Sequence, residues 1–461
     1  MRTISKLLAG TALALAAVTT AQGGGFQRGT ADTDILFEPG DFSTRAGMTY
    51  VEPQRGFDSI NGESGDFGDY TGNYTIPSAA VKFGGDQFAC AGTYTESFAA
   101  NADYRNSPGG ALPEFRSGAT TTSRTQTIDF DSNEFGGTCR VSYSTETSRF
   151  SFLGGVFFED FNFQGTSLGE RNLNGAFAGT PLAGVGTALG LTGSQLILPS
   201  SVSVDSRGDY EAGYRLGLAY ERPEIALRVQ GLYRSEIEHD SIGGDGTVTI
   251  SDSAFVRLAN GQEVSVPLFL ANPLLGLTPT QQAQAGGGIA GLTAPRTIDV
   301  ASALNTATSP QSFTISAQTG IAEGTLLLAS LRWTDWSTNK TVISTISSAA
   351  TGTSSTIQPY NWRDGYTASV GIGRAFNEMV SGAVSLGYDR GVSTGADTTY
   401  TDLYTVSGGV SLRQGFGEIR FGGLVGYWTD GEQTIEEGAY FDATVGDDWV
   451  YGANASLKLT F

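Results

Sequence analysis

The last eleven residues put Tyr451, Ala453, Ala455, Leu457, Leu459 and Phe461 on one face and Gly452, Asn454, Ser456, Lys458 and Thr460 on the other. A strand turns successive side chains to opposite sides, so this period of two predicts a strand with one apolar face, one polar face and a terminal aromatic. The pattern recurs along the chain. Alternating runs bounded by turn residues predict fourteen strands, at 43–57, 74–84, 87–100, 123–145, 148–164, 207–221, 225–240, 310–321, 324–340, 359–375, 378–392, 397–413, 417–430 and 446–461. Connections after even-numbered runs are short, at Gly85–Asp86, Glu146–Thr147, Arg222–Glu224, Ala322–Glu323, around Asn377 and at Gln414–Phe416. Those after odd-numbered runs are longer, and two are very long, at about 165–206 and 241–309. Short turns on one rim and long loops on the other, with an even strand count, predict an all-β, 14-stranded antiparallel transmembrane barrel.

The two faces stay separate within single runs. In the seventh, Ile225, Leu227, Val229, Gly231, Tyr233 and Ile237 are expected toward lipid, and Arg228, Gln230, Arg234, Glu236 and Glu238 toward the lumen. The sixth sends Tyr210, Ala212, Tyr214, Leu216, Leu218 and Tyr220 outward; the ninth sends Leu327, Ala329, Leu331 and Trp333 outward and Ser330, Arg332, Thr334 and Trp336 inward. A cation at mid-depth on the lipid side costs roughly 2–4 kcal/mol, which explains why none stands there.

The chain opens with the charged Met1–Lys6, an apolar run Leu7–Ala17 and the small residues Thr19–Ala21, which read as a secretory signal over 1–21, too short to span a bilayer as a helix. Elsewhere no apolar stretch is long enough for a membrane helix, and a closed barrel is the other way to pair every backbone group in lipid. Abundant Gly, Tyr and Phe (64, 18 and 26) with 3 Met suit strands, turns and aromatic girdles. A net charge of −20 argues against a nucleic-acid partner. The single histidine, His239, leaves no imidazole pair for a metal site or for coupled acid/base catalysis, so neither a metal, a cofactor nor an enzymatic activity is expected. Cys90 and Cys139 fall on neighbouring predicted strands with equal parity, which makes them candidates for a disulfide in an oxidising compartment. Whether they pair depends on strand stagger.

The long loops are not simply polar. Phe177, Leu182, Leu189, Leu191, Leu196, Ile197 and Leu198 crowd one, and Phe269, Leu270, Leu274 and Leu275 the other, an apolar concentration expected to bind a hydrophobic ligand or else to pack on itself as a cap. The stretch Gly286–Gly291 has no strand before it and does not read as a phosphate loop.

Three stretches together resemble the FadL-type transporters, which carry long-chain fatty acids and other hydrophobic molecules across Gram-negative outer membranes. They are Gly213–Tyr220 leading to Val229–His239, with its Tyr-Arg-Ser and histidine; Pro310–Phe313 leading to Leu331-Arg-Trp-Thr-Asp-Trp-Ser337; and Asn361–Tyr366 followed by Gly371 and Ser385–Asp389. The likeness covers about 205–461. It is looser at the amino terminus, where Ala31–Gly40 stands in place of that family's plug sequence, with Glu38 for an asparagine and Gly40 for an alanine.

The resemblance implies a plug at 22–42 inside a barrel at 43–461, capture of cargo at the outside loops, and sideways exit through a gap in the wall at the third strand. Within the plug, Phe26, Ile35, Leu36, Phe37 and Pro39 are expected to block or line the lumen, and Asp32 and Asp34 to anchor its turn. By strand parity Arg140, Arg228 and Arg332 point inward, to meet an anionic ligand or to neutralise carboxylates such as Glu236. The implied cargo is a long-chain fatty acid or similar hydrophobic molecule, with an aromatic hydrocarbon as rival, and a general diffusion porin is the alternative outside the family. The expected surroundings are outer-membrane lipid, the barrel assembly machinery reading Phe461, and a monomeric state.

Overall fold

The computed structural model describes residues 25–461 except 114–120, 181, 241, 251–253, 306, 350–351 and 399. The leader expected at 1–21 and the first three residues of the expected plug lie outside the described residues. Fourteen strands form a closed antiparallel ring: β1 (Phe42–Gln54), β2 (Tyr74–Gly84), β3 (Phe88–Asp103), β4 (Thr121–Ser144), β5 (Arg149–Glu159), β6 (Glu211–Arg222), β7 (Leu227–Arg234), β8 (Ser312–Ala322), β9 (Thr325–Thr334), β10 (Gly365–Ala375), β11 (Val380–Arg390), β12 (Leu403–Gln414), β13 (Gly417–Trp428) and β14 (Asp448–Thr460). Each pairs with its neighbours in chain order, and β14 closes on β1 from Ser43 opposite Thr460 to Gln54 opposite Trp449. Closure leaves no strand of the ring at a terminal sheet edge.

The alternation decides which way each side chain points. In β14, Tyr451 and Leu457 are exposed on the outer surface while Ser456 and Lys458 are buried inside, and in β6 Tyr214, Leu216 and Leu218 are exposed. Cys90 and Cys139 stand opposite one another on β3 and β4 and are joined in a disulfide.

One run departs from its expected parity. Strand β7 ends at Arg234, and Ile237–His239 leave the wall to pair with Ala307–Ser309. Ile237 is therefore buried instead of facing lipid, and Glu236 and Glu238 are exposed instead of lining the lumen. Period-two parity holds only while the ladder is unbroken, and the break at Ser235 resets it.

Strand β4 has 24 residues, more than twice the 9–11 or so that a barrel strand needs to cross lipid. Its later part, Glu134–Ser144, pairs with β5, and its earlier part, Thr121–Asp131, pairs with Asn162–Asn172. Gln195–Gly208, Ile242–Ile250, Arg296–Leu304, Thr341–Ser348 and Gly352–Pro359 then add on in turn, so the long connections extend the sheet beyond the membrane wall. Between them lie helices α1 (Ala183–Leu191), α2 (Val266–Leu270) and α3 (Pro279–Leu292). Helix α3 begins where Thr278 and Gln281 form a reciprocal capping box before Pro279, and the Gly286–Gly291 stretch lies within it. A Cβ on Gly288 would come within 2.8 Å of the Leu182 side chain, so a glycine there lets the two outside loops meet.

Candidate functional site

Residues 25–41 run through the barrel interior, touching strands on opposite walls. At the turn-bearing rim, buried Glu38 accepts from Arg45 of β1 at 2.8 Å and from Lys458 of β14 at 3.2 Å. Lys82 of β2 donates to the carbonyls of Glu38 and Gly40 at 2.6 and 2.7 Å. Asp32 pairs with Arg45 at 2.5 Å. Across the lumen, Asp34 meets Arg228 of β7 at 3.1 Å. Both aspartates thus tie the segment to the wall, whereas anchoring of its own turn was expected; Asp32 makes no side-chain cap to the 3-10 turn Thr33–Phe37.

Ile35 and Leu36 are fully buried against Ala80, Ala89, Ala91 and Ala219, small wall residues that leave them room, and against Leu153. Phe37 lies under two guanidinium groups, 4.9 Å from Arg140 and 4.6 Å from Arg228. Arg140 also donates to the carbonyls of Gly85 and Asp86, and Arg332 donates to Gln27 at 3.2 Å and to Thr314 at 3.1 Å. All three expected lumen arginines therefore contact the segment or the rim turn, and none pairs with Glu236. Pro39 is exposed.

The outer end of the segment sits in a break in the wall. Strands β2 and β3 pair from Gly84 opposite Ala89 only as far as Ser78 opposite Thr95, and Tyr74–Pro77 have no partner on β3. There β3 bulges between Glu96 and Phe98, and its edge is taken up by the segment instead. The Arg28 N–H donates to the Ser97 carbonyl at 2.8 Å and the Ala99 N–H to the Phe26 carbonyl at 3.1 Å. Pairing of the two sides resumes only at Thr71 opposite Ala102. A Cβ on Gly29 would stand 2.1 Å from the Thr95 hydroxyl and 2.6 Å from the Glu96 carbonyl, so the chain passes the gap because that residue is glycine.

A buried ionic cluster backs the bulge. The Ser97 hydroxyl donates to Glu159 at 2.6 Å, Arg234 spans Glu159 and Glu134 at 2.5 and 3.2 Å, and Arg215 pairs with Glu134. His239 lies 3.5 Å from Glu159.

Two cavities flank the segment. One, of about 280 Å³, lies in the lumen, its lining including Arg45, Arg215, Arg234 and Arg332 and serines and threonines of β8 to β12. The other, of about 100 Å³, is ringed by aromatic side chains, including Phe26, Phe57, Tyr70, Tyr104, Tyr360, Tyr400 and Trp428. Phe26 forms its floor and packs edge-on against Phe130, Trp336, Trp362 and Tyr400, with ring centroids 4.9–6.3 Å apart. A small sheet of Phe57–Ile60, Glu63–Ser64, Gly431–Gln433 and Ala443–Val445 covers it on the outer side. For a hydrophobic cargo the second cavity is the relevant one, because most of its wall is aromatic and its charged groups are few, Arg28 and Asp397.

The apolar loop residues are gathered elsewhere. Phe177, Leu189, Leu196, Leu198, Phe269 and Leu270 are buried together in an outer lobe, with Leu182 and Leu275 packed at its margin. Ile197 is buried as well, whereas Leu191 and Leu274 are 84% and 90% exposed. Most of the expected ligand-facing surface is thus the lobe's own core. Pairing of Gln195–Gly208 with Ile242–Ile250 brings the two loops side by side, and their apolar faces close on each other. Arg257 braces the lobe by hydrogen bonds to Glu170, with Glu263 beside it, and these hold its guanidinium above its ordinary pKa.

The aromatic cavity was not legible in the sequence, because its residues come from many widely separated stretches with no common spacing. Arg45, Lys82 and Lys458 were more accessible to inference, since each is the inward charge of an otherwise apolar-alternating strand.

No family model matches the chain, and no curated protein is similar to it. Solved structures do match. A FadL homologue from Pseudomonas aeruginosa superposes with a TM-score of 0.62 at 14% identity, over 96% of this chain and 97% of that one. The toluene transporter TodX of Pseudomonas putida gives 0.55 at 13%, over 93% and 92%. This chain has the FadL-type barrel fold. The monoaromatic hydrocarbon channel CymD shares it as well, with a TM-score of 0.56 at 13% identity over 96% of this chain and 97% of that one.

Proposed function

We propose that this protein is a passive outer-membrane channel for small hydrophobic molecules, which enter from outside, pass the aromatic chamber and leave sideways through the break between β2 and β3 as the interior segment shifts. The observation that carries the reading is that break, filled by residues 26–28 in place of a wall strand. A wall open at mid-height serves a solute that belongs in lipid. A polar solute gains nothing from it, since the lumen below is already lined with charge and hydroxyls. Burial of each CH₂ contributes roughly 0.8 kcal/mol, so the aromatic chamber draws in such a solute without an energy source.

The fatty-acid and aromatic readings part at the chamber. A cavity of roughly 150 Å³ holds one benzene ring, and this one, at about 100 Å³, is of that order. Its size and aromatic lining favour a single-ring compound over a long acyl chain, in line with the cargo for which TodX and CymD are named.

The test is paired. Deleting residues 23–40 should raise sugar flux in liposome swelling and abolish saturable uptake of labelled toluene and oleate by cells. Raised sugar flux with uptake unchanged would reduce the segment to a static stopper. Uptake of both ligands by cells carrying the native protein no better than in cells without it would refute transport altogether.

A further inference from the structure

The aromatic chamber presents more hydrogen-bond donors than a hydrocarbon cargo can use. Tyr70, Tyr104, Tyr360 and Tyr400 line it. The Tyr70 hydroxyl is buried with no hydrogen bond inside 3.5 Å among the described residues, beside Thr398. Arg28 also lines the chamber, its guanidinium stacked 3.2 Å over the Tyr74 ring and its Nε buried without a partner. Burial raises the phenols of Tyr70, Tyr104, Tyr360 and Tyr400 above their ordinary pKa, so each remains a neutral donor. The one carboxylate on the lining, Asp397, is already occupied by the Trp362 indole and the Ser393 hydroxyl, both at 2.8 Å.

Aromatic walls with an excess of donors fit a flat ring that brings its own acceptor. A bare hydrocarbon would strip water from these hydroxyls and offer nothing in return, and sites built to hydrogen-bond a ligand reject the analogue that lacks the group far more strongly than apolar pockets reject an extra methylene. We propose that the chamber selects aromatic molecules bearing a neutral oxygen acceptor, such as aromatic ketones, aldehydes or esters, over hydrocarbons of the same size. This rests on the chamber being a stop on the transport path.

The test uses the full-length protein purified in detergent, with acetophenone and ethylbenzene as ligands of nearly equal shape, and reads binding by calorimetry. Partition from water favours ethylbenzene. The chamber should reverse that order and bind acetophenone at least about tenfold more tightly. In the Tyr70→Phe variant and separately in Tyr400→Phe, which keep the rings, the preference should fall severalfold, with acetophenone binding weakened and ethylbenzene bound at least as tightly as by the native protein. Equal or weaker binding of acetophenone by the native protein, or a preference unchanged in both variants, overturns the proposal. If ethylbenzene binds and is taken up by cells without any preference for acetophenone, only this refinement fails. If neither binds and neither is taken up, the transport reading fails with it.

Discussion

Glu38→Gln is the sharpest perturbation of the interior segment. The carboxylate is buried at 3% exposure and takes one contact from Arg45 at 2.8 Å and two from Lys458 at 3.2 Å. Glutamine keeps the shape and one acceptor oxygen but removes the charge. Arg45 retains Asp32, and Lys458 retains Glu418 at 3.0 Å, so neither cation is fully stranded. Charge-assisted hydrogen bonds contribute about 1.5–3 kcal/mol each, and losing two of them gives about 3–6 kcal/mol, close to the range of about 3–5 kcal/mol seen when one partner of a buried pair is removed. The same carboxylate holds no wall strand to another wall strand except through these cations, so the cost falls on docking of the segment and not on the barrel. At about 1.4 kcal/mol per factor of ten, the undocked state should rise by on the order of 10² to 10⁴. Single-channel recording in planar bilayers should show frequent openings to a larger conductance, and amides of residues 27–40 should exchange faster while those of β10 to β13 do not. Conductance and exchange both within about twofold of the native protein would show that Glu38 does not hold the segment, and that the ionic contacts at this rim are incidental.

Other expectations follow from the same geometry. Ser97→Ala removes the 2.6 Å bond to Glu159 and should free the bulge of β3, seen as faster exchange at the Arg28 and Ala99 amides and slower uptake of hydrophobic cargo; protection equal to native would detach the ionic cluster from the gap. Leu196→Ser empties a fully buried site in the outer lobe at a cost of about 2–5 kcal/mol, so protease added to intact cells should cut within 173–199 or 254–292 while the barrel stays whole. Undiminished resistance would mean that the lobe's core is not what orders it. The detergent-solubilised protein should migrate faster unheated than boiled on gels, as a closed barrel does, and a helical far-ultraviolet spectrum would contradict the fold.

Strand count, lipid face and rim assignment were legible in the sequence because each depends on a local rule. A residue and its second neighbour share a face whatever the rest of the chain does, so Tyr214, Leu216 and Leu218 could be sent outward, and Arg228 and Arg332 inward, from parity alone. That rule lapses wherever the ladder stops. It misdirected Ile237 and Glu236 past the end of β7, and it was silent on the bulge at Glu96–Phe98 that opens the wall. The direction of the loop leucines was equally out of reach. Leu196 is buried and Leu274 exposed only because strands some fifty residues apart pair to form a lobe, and apolar surface closes on whatever such pairing brings beside it. The chamber is the extreme case: Phe26, Tyr70, Tyr360 and Trp428 share no spacing, and closure of the ring alone makes them neighbours. Local periodicity determined the wall, and contacts distant in sequence determined the path through it.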